Sequence, residues 1–183
     1  MQFNPNRLYH IYNRGNRGIP IFYQEKNYDY FLQKVKRHIC GLADILAYCL
    51  MPNHFHFLVH VKEANPSPLN SNIGIMLRSY TRAINIQEGQ TGSLFQSSTK
   101  AKEVEEPLVC FNYIHLNPLR AGLVKDLKHW KYSSFNHHCG LIRNDLINDK
   151  LVRELVGIDM DNYGNEIFKY LTYWDFYHGK FNT

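Results

Sequence analysis

What this 183-residue chain lacks narrows the field first. No apolar run approaches the ~20 residues of a membrane-spanning helix, so no membrane partner is expected. The opening Met1-Gln2-Phe3-Asn4-Pro5-Asn6-Arg7 has none of the apolar core of a signal peptide, and a cytoplasmic location is the expectation. Four cysteines (Cys40, Cys49, Cys110 and Cys139) are scattered without a Cys-x-x-Cys pair. That spacing suits separate, buried or half-buried thiols in a reducing compartment rather than a disulfide framework. Low-complexity tracts are absent too, and a composition of 44% hydrophobic and 20% charged residues is that of a globular protein with room for a substantial core.

Positive charge is present in modest excess, +5 overall, and it is unevenly placed. Residues 1–125 hold 14 Lys and Arg against 8 Asp and Glu, whereas residues 126–183 hold 7 against 8. The basic part therefore coincides with the part that carries the motifs described below, which is compatible with a phosphate-rich ligand. Thirteen tyrosines and eleven phenylalanines offer faces on which single-stranded bases can stack, although a core and rim account for most of them.

Alternation and helical spacing divide the chain. Leu8 to Tyr12 reads as a strand running into an Asn13-to-Gly18 turn, where Arg14 and Arg17 could grip a phosphate. Tyr28, Phe31, Leu32, Val35 and Ile39 form one stripe of a helix over 26–39. Asp44 to Leu50 and His54 to about Val61 make a hairpin around Met51-Pro52-Asn53. Ile73, Met76, Leu77, Tyr80 and Ile84 mark a second helix. Thr99 to Glu106 is a polar strand, and a short helix from Leu108 to about Asn117 is expected to stop at Pro118. This β-α-β-β-α-β order followed by a helix predicts an α+β, ferredoxin-like split βαβ fold: an antiparallel sheet with helices on one face and the other face open to a ligand. Residues 1–135 are expected to form the domain that carries the motifs described below. Residues 136–183 are expected to form a helical C-terminal extension.

The most informative segment is Met51-Pro52-Asn53-His54-Phe55-His56-Phe57-Leu58-Val59-His60. Side chains alternate along a strand, so His54, His56 and His60 share one face while Phe55, Phe57 and Val59 share the other. Imidazoles are the commonest transition-metal ligands. His60 lies about 13 Å along the strand from His56 at ~3.3 Å per residue, too far to ligate the same ion. On the last helix Tyr113 and Asn117 are one turn apart on one face. An amide oxygen could complete a site begun by two imidazoles, and a neighbouring phenol could attack an electrophile held there. A zinc site joining Cys49 to His54 and His56 is a competing use of the same histidines.

Four segments together resemble the single-tyrosine HUH transposases, specifically the REP-associated tyrosine transposase branch. They are Tyr9-His10-Ile11-Tyr12-Asn13-Arg14-Gly15-Asn16-Arg17, Ala47-Tyr48-Cys49-Leu50-Met51-Pro52-Asn53-His54-Phe55-His56, Ser93-Leu94-Phe95-Gln96, and Tyr113-Ile114-His115-Leu116-Asn117-Pro118-Leu119-Arg120-Ala121-Gly122-Leu123-Val124. They occur in the family's order across residues 8 to about 135. The resemblance implies that His54 and His56 bind a divalent ion, Mg²⁺ or Mn²⁺, with Asn117 as third ligand. It implies that Tyr113 attacks a phosphodiester of single-stranded DNA at hairpin-flanked sites, leaving a 5′-phosphotyrosine link and a free 3′-hydroxyl. Arg14, Arg17 and Arg120 become DNA contacts. Relatives commonly carry a basic residue just after the Phe-Gln pair; here Ser97-Ser98-Thr99 intervene before Lys100, which is placed in that role. The family includes both monomers and homodimers. The alternative function is a catalytically inactive module that binds single-stranded nucleic acid on the same sheet.

Overall fold

The structure, a computed structural model, describes residues 2–63 and 68–173. Four strands form one antiparallel sheet: β1 (Leu8–Arg14), β2 (Ala43–Met51), β3 (His54–Val61) and β4 (Lys100–Glu103), in the order β2-β3-β1-β4. Together with helices α1 (Glu25–His38) and α2 (Leu69–Glu88), this is the split βαβ arrangement expected from the sequence. Among the described residues no helix is long and apolar enough to cross a membrane.

The helices form where local chemistry favours them. Gln24 and Asn27 cap α1 reciprocally, Asn27 Oδ1 accepting from the Gln24 backbone N–H at 2.8 Å, and Lys36, Arg37 and His38 sit at its negative C-terminal end. Gly89 ends α2 at a φ of 62°, the left-handed conformation that glycine adopts without Cβ strain. Both helices lay their apolar stripes on Tyr9, Ile11, Phe55, Phe57 and Val59. At the centre is Phe31, fully buried, its ring against those of Phe22, Phe55 and Tyr80. Burying such a side chain is worth roughly 1.5–3 kcal/mol.

The opposite face of the sheet, expected to be open, is largely covered. Helix α3 (Pro107–Arg120) packs on β2 and β3. Leu46, Ala47, Cys49, Met51 and Leu58 join Cys110, Phe111, Ile114 and Leu116 in a second core, which also takes in Phe135, Val152, Val156, Tyr163 and Ile167 from later in the chain. Those later residues belong to short elements: α4 (Phe135–His138), α5 (Asp149–Leu151) continuing into a π turn, and α6 (Tyr163–Glu166) continuing into a 3-10 segment to Tyr173. Residues 174–183 of the expected extension lie outside the described residues.

A buried hydrogen-bond chain ties α3 down. Tyr163 donates to Asn112 Oδ1 at 3.1 Å, so its oxygen accepts from His115 Nδ1 at 2.8 Å. Ser134 Oγ then donates to His115 Nε2 at 2.7 Å while accepting from the Tyr48 N–H at 2.9 Å. Neutral His115 satisfies every link, and burial accordingly depresses its pKa well below 6.5.

Candidate active site

The His54–His56 strand begins at a hairpin tip that is clamped from outside. The carbonyl of Pro52 accepts from both Ile21 and Phe22, and that of Asn53 accepts from Gly15 at 2.7 Å. Only glycine fits at position 15, because a Cβ there would lie 2.0 Å from the carbonyl oxygen of Ile19. In register, Arg14 faces His54 and Tyr12 faces His56 across the β1–β3 ladder. Alternation puts His54 and His56 on one face, as expected; that face is the one α3 covers, and their rings meet edge-on at 5.0 Å.

Asn117 owes its orientation to the residue that was expected to end the helix. Helix α3 continues through Pro118 to Arg120, because local packing holds the segment helical despite the missing N–H. Pro118 cannot donate to the carbonyl of Ile114, four residues earlier. The Asn117 side-chain NH₂ reaches that carbonyl at 3.4 Å and that of Tyr113 at 2.8 Å. With its nitrogen committed to the helix, Asn117 turns its oxygen toward His54, with which it hydrogen-bonds.

Tyr113, one turn earlier, brings its ring edge-on to His56 at 5.6 Å and to His10 at 5.8 Å. It is 3% exposed, and burial pushes its phenol well above the ordinary 10.0, so it is protonated at neutral pH. The structure thus brings together the four residues Tyr113, His54, His56 and Asn117 from one chain.

The donor set fits a cation. His56 Nε2 is buried with no hydrogen-bond partner among the described residues. Burial lowers the His54 pKa to about 4, so the ring is neutral and has a single N–H. It meets two amide side chains, Asn53 Oδ1 at 2.7 Å from Nδ1 and Asn117. Imidazole nitrogens with an amide oxygen make a mixed N/O donor set of the kind that divalent ions accept.

His10 is the site residue that strand alternation alone missed. It is fully buried, its Nε2 lies 2.9 Å from His56 Nδ1, and burial drops its pKa to about 3. For His56 to present an Nε2 lone pair, its Nδ1–H must donate to His10. That is how outer partners fix the tautomer of a metal-binding histidine. The only sequence signal was a polar residue on the same strand face as Tyr12; its pairing with His56 depends on the β1–β3 register.

The other expected residues are placed as follows. Arg14, Arg17, Lys100 and Arg120 are all exposed. Arg14 adjoins His54 and Lys100 adjoins Tyr12 across the sheet, whereas Arg17 sits in a short 3-10 turn at a φ of 54° and Arg120 in the last turn of α3. Cys49 pairs with His56 across β2–β3 but is a buried core thiol, its pKa raised by burial. His60 lies opposite Leu8 and Asp44, away from the tyrosine.

A His-His-Asp cluster that could bind a metal lies elsewhere. One ligand atom each from His137, His138 and Asp149 falls within 4.8 Å of the others, and it is the one such His/Cys/Asp/Glu group among the described residues. His137 there accepts from the Asn144 N–H at Nδ1, so its Nε2–H donates to Asp149 Oδ1 at 2.6 Å. A neutral ring bonded at both nitrogens must give up one bond before it can ligate.

A REP-associated tyrosine transposase, solved bound to a REP hairpin, has a similar fold, with a TM-score of 0.63. The two share 17% sequence identity over 81% of this chain and 90% of that one, so the likeness is one of fold. No family model matches the sequence, and no curated protein matches it.

Proposed function

We propose that this chain is an HUH-type transposase that cleaves and rejoins single-stranded DNA through a 5′-phosphotyrosine intermediate. In this reading residues 1–135 are the catalytic unit and 136–183 an extension, whose described residues pack in part against α3. The observation that carries it is the convergence of Tyr113 with the unpartnered His56 Nε2 and with the oxygen of Asn117 turned to His54. His54, His56 and Asn117 are the residues that would hold Mg²⁺ or Mn²⁺. When bound, that ion supplies polarisation of the scissile phosphate.

The chain's own residues do the rest. Helix α3 positions the Tyr113 oxygen for in-line attack on phosphorus. As the new P–O bond forms, the bond to the 3′ oxygen breaks, the phenol loses its proton and the departing 3′ oxygen gains one. The phosphodiester energy is kept in the phosphotyrosine, so a second 3′-hydroxyl can reverse the step without a nucleotide cofactor. His10 holds His56 in the ligating tautomer. Arg14, Arg17, Lys100 and Arg120 offer positive charge to the DNA backbone. Because one chain supplies all four central residues, a monomer suffices for the chemistry.

The test is covalent trapping on a labelled, hairpin-flanked oligonucleotide with Mn²⁺ or Mg²⁺. The adduct should form with the native chain, vanish with Tyr113→Phe and fall sharply with His54→Ala or His56→Ala. An undiminished adduct from Tyr113→Phe overturns the nucleophile assignment. The near-complete burial of Tyr113 is the observation that favours an inactive binding module instead. Metal-independent DNA binding, with no adduct on any hairpin substrate, would establish that reading.

A further inference from the structure

Helix α2 and the loop after it enclose a second feature that the proposed chemistry leaves unused. A groove of about 1040 Å³ runs between residues 74–86 of α2 and residues 89–99. Its floor and walls hold two cations, Arg78 and Arg82, and no acidic side chain among the described residues that line it. The remaining polar lining is amide and hydroxyl, with Asn85, Gln90 and Thr99 as examples. Arg78 and Arg82 are four apart on one helix face, where like charges repel and weaken the helix unless an anion sits over them. Neither makes an ion pair among the described residues. Arg78 folds back over Gly74, its Nη1 lying 3.0 Å from where a Cβ would stand, so the absent side chain makes room for the guanidinium. Ile86, 74% exposed, also lines the groove and gives it an apolar contact.

The groove opens at the His54 end of the sheet. Asn13 and Thr99 meet at its mouth, Asn13 Nδ2 donating to Thr99 Oγ1 at 3.0 Å. Gln96 in the groove wall donates its backbone N–H to the carbonyl of Arg14, the residue opposite His54. Asn13 and Arg14 point to opposite faces of the sheet. The groove and the site are therefore separated only by the end of β1.

We propose that this groove binds the single-stranded segment of DNA that adjoins the scissile phosphate, with Arg78 and Arg82 on consecutive backbone phosphates. The assignment rests on the single-strand DNA reading of the active site and names where its substrate lies. A concave wall with exposed guanidinium groups and half-buried amides along it takes a flexible strand. A duplex, whose base edges lie inside its own grooves, needs a protruding helix or ribbon to read it. Amides and hydroxyls can pair with the splayed base edges, and Ile86 can cover a base face.

The experiment measures binding in a Tyr113→Phe background, so that no covalent product accumulates. The ligand is a labelled hairpin with single-stranded flanks, compared with the same stem cut blunt. Arg78→Gln/Arg82→Gln should raise Kd for the flanked hairpin at least tenfold at moderate salt. It should also flatten the dependence of log K on log salt by about 1.4, two phosphates at ~0.7 each. Binding of the blunt stem should not change. Arg143→Gln/Arg153→Gln, which removes two exposed charges outside the groove, measures the generic charge effect, and thermal melts verify that each variant folds. An unchanged Kd and slope on the flanked hairpin overturns the groove assignment, as does an equal loss on the blunt stem or with the outside pair. If the native chain forms no adduct yet the groove variant loses flank binding as described, the chemistry fails and the groove stands. No DNA binding by the parent overturns both.

Discussion

The two faces of the sheet are built from different materials. Against α1 and α2 the sheet buries rings and aliphatic chains, with Phe31 at the centre. Against α3 it buries His10, His56, His115, Asn112 and Asn117 beside its apolar residues, and His137 and His138 follow in α4. Buried polar groups cost stability unless each finds a partner, whereas apolar packing stabilises without such conditions. One face is thus almost wholly apolar packing, and the other sets buried polar groups, each in need of a partner, within a second apolar core.

The largest way to separate the faces needs no mutation. Burial lowers the pKa of His10 and His138 to about 3 and of His54 to about 4, and it depresses His56 and His115 as well. These rings are neutral in the native state but titrate near 6.5 when unfolded, so below pH 6.5 the unfolded chain binds more protons. Their contribution is complete above pH 6.5 and is lost as pH falls toward 3–4, at about 1.4 kcal/mol per pH unit for each ring. Urea midpoints should drop steeply between pH 6.5 and 5 and stay level above 7. A midpoint that is flat from pH 7.5 to 5 would mean that these imidazoles take up protons as readily in the folded chain as in the unfolded one, and the contrast between faces would collapse.

A smaller effect isolates one contact on the functional face. His10→Ala removes the partner of His56 Nδ1 and frees that ring to rotate and change tautomer. Loss of such an outer partner typically lowers metal affinity 10–100-fold, about 1.4–2.7 kcal/mol. Mn²⁺ titration by calorimetry of both proteins measures it. Equal affinity would reduce His10 to a packing residue.

The two faces also differed in how legible they were from sequence. The apolar face follows from short-range pattern: the spacing of Tyr28, Phe31 and Val35, the alternation of Phe55, Phe57 and Val59, and the turn at Pro52-Asn53 are all local. Strand alternation also put His54 and His56 on one face, and helical spacing put Tyr113 and Asn117 one turn apart. The rest needed tertiary contacts. Pro118 reads as a helix stop, yet α3 runs through it, and the freed carbonyl of Ile114 is what turns the Asn117 oxygen outward. His10 acquires its role only from strand register, and Tyr163 only from a bond to His115, 48 residues away. The strand expected over 99–106 is shorter, Lys100–Glu103, because it lies at the sheet edge beside β1 alone. Conversely β1 runs on to Arg14, two residues into the expected turn, since pairing with β3 holds it straight.

The finest comparison sets one buried tyrosine hydroxyl on each face against the other. Tyr80, between α1 and α2, donates to a single backbone carbonyl, that of Ile21, at 2.7 Å. Tyr163, over α3, sits between two side-chain atoms, His115 Nδ1 and Asn112 Oδ1, both themselves buried. Removing the Tyr163 hydroxyl leaves Asn112 Oδ1 without its donor and takes one partner from His115, which also bonds the Phe111 backbone, so Tyr163→Phe should cost ~1–3 kcal/mol. Tyr80→Phe, which removes one bond in an otherwise apolar setting, should cost ~0.5–1.5 kcal/mol. Denaturant unfolding of the two variants measures both. If Tyr80→Phe proves the costlier, the hydrogen-bond chain over α3 is not what holds the tyrosine helix down, and its anchoring must come from Phe111, Ile114 and Leu116 in the second core.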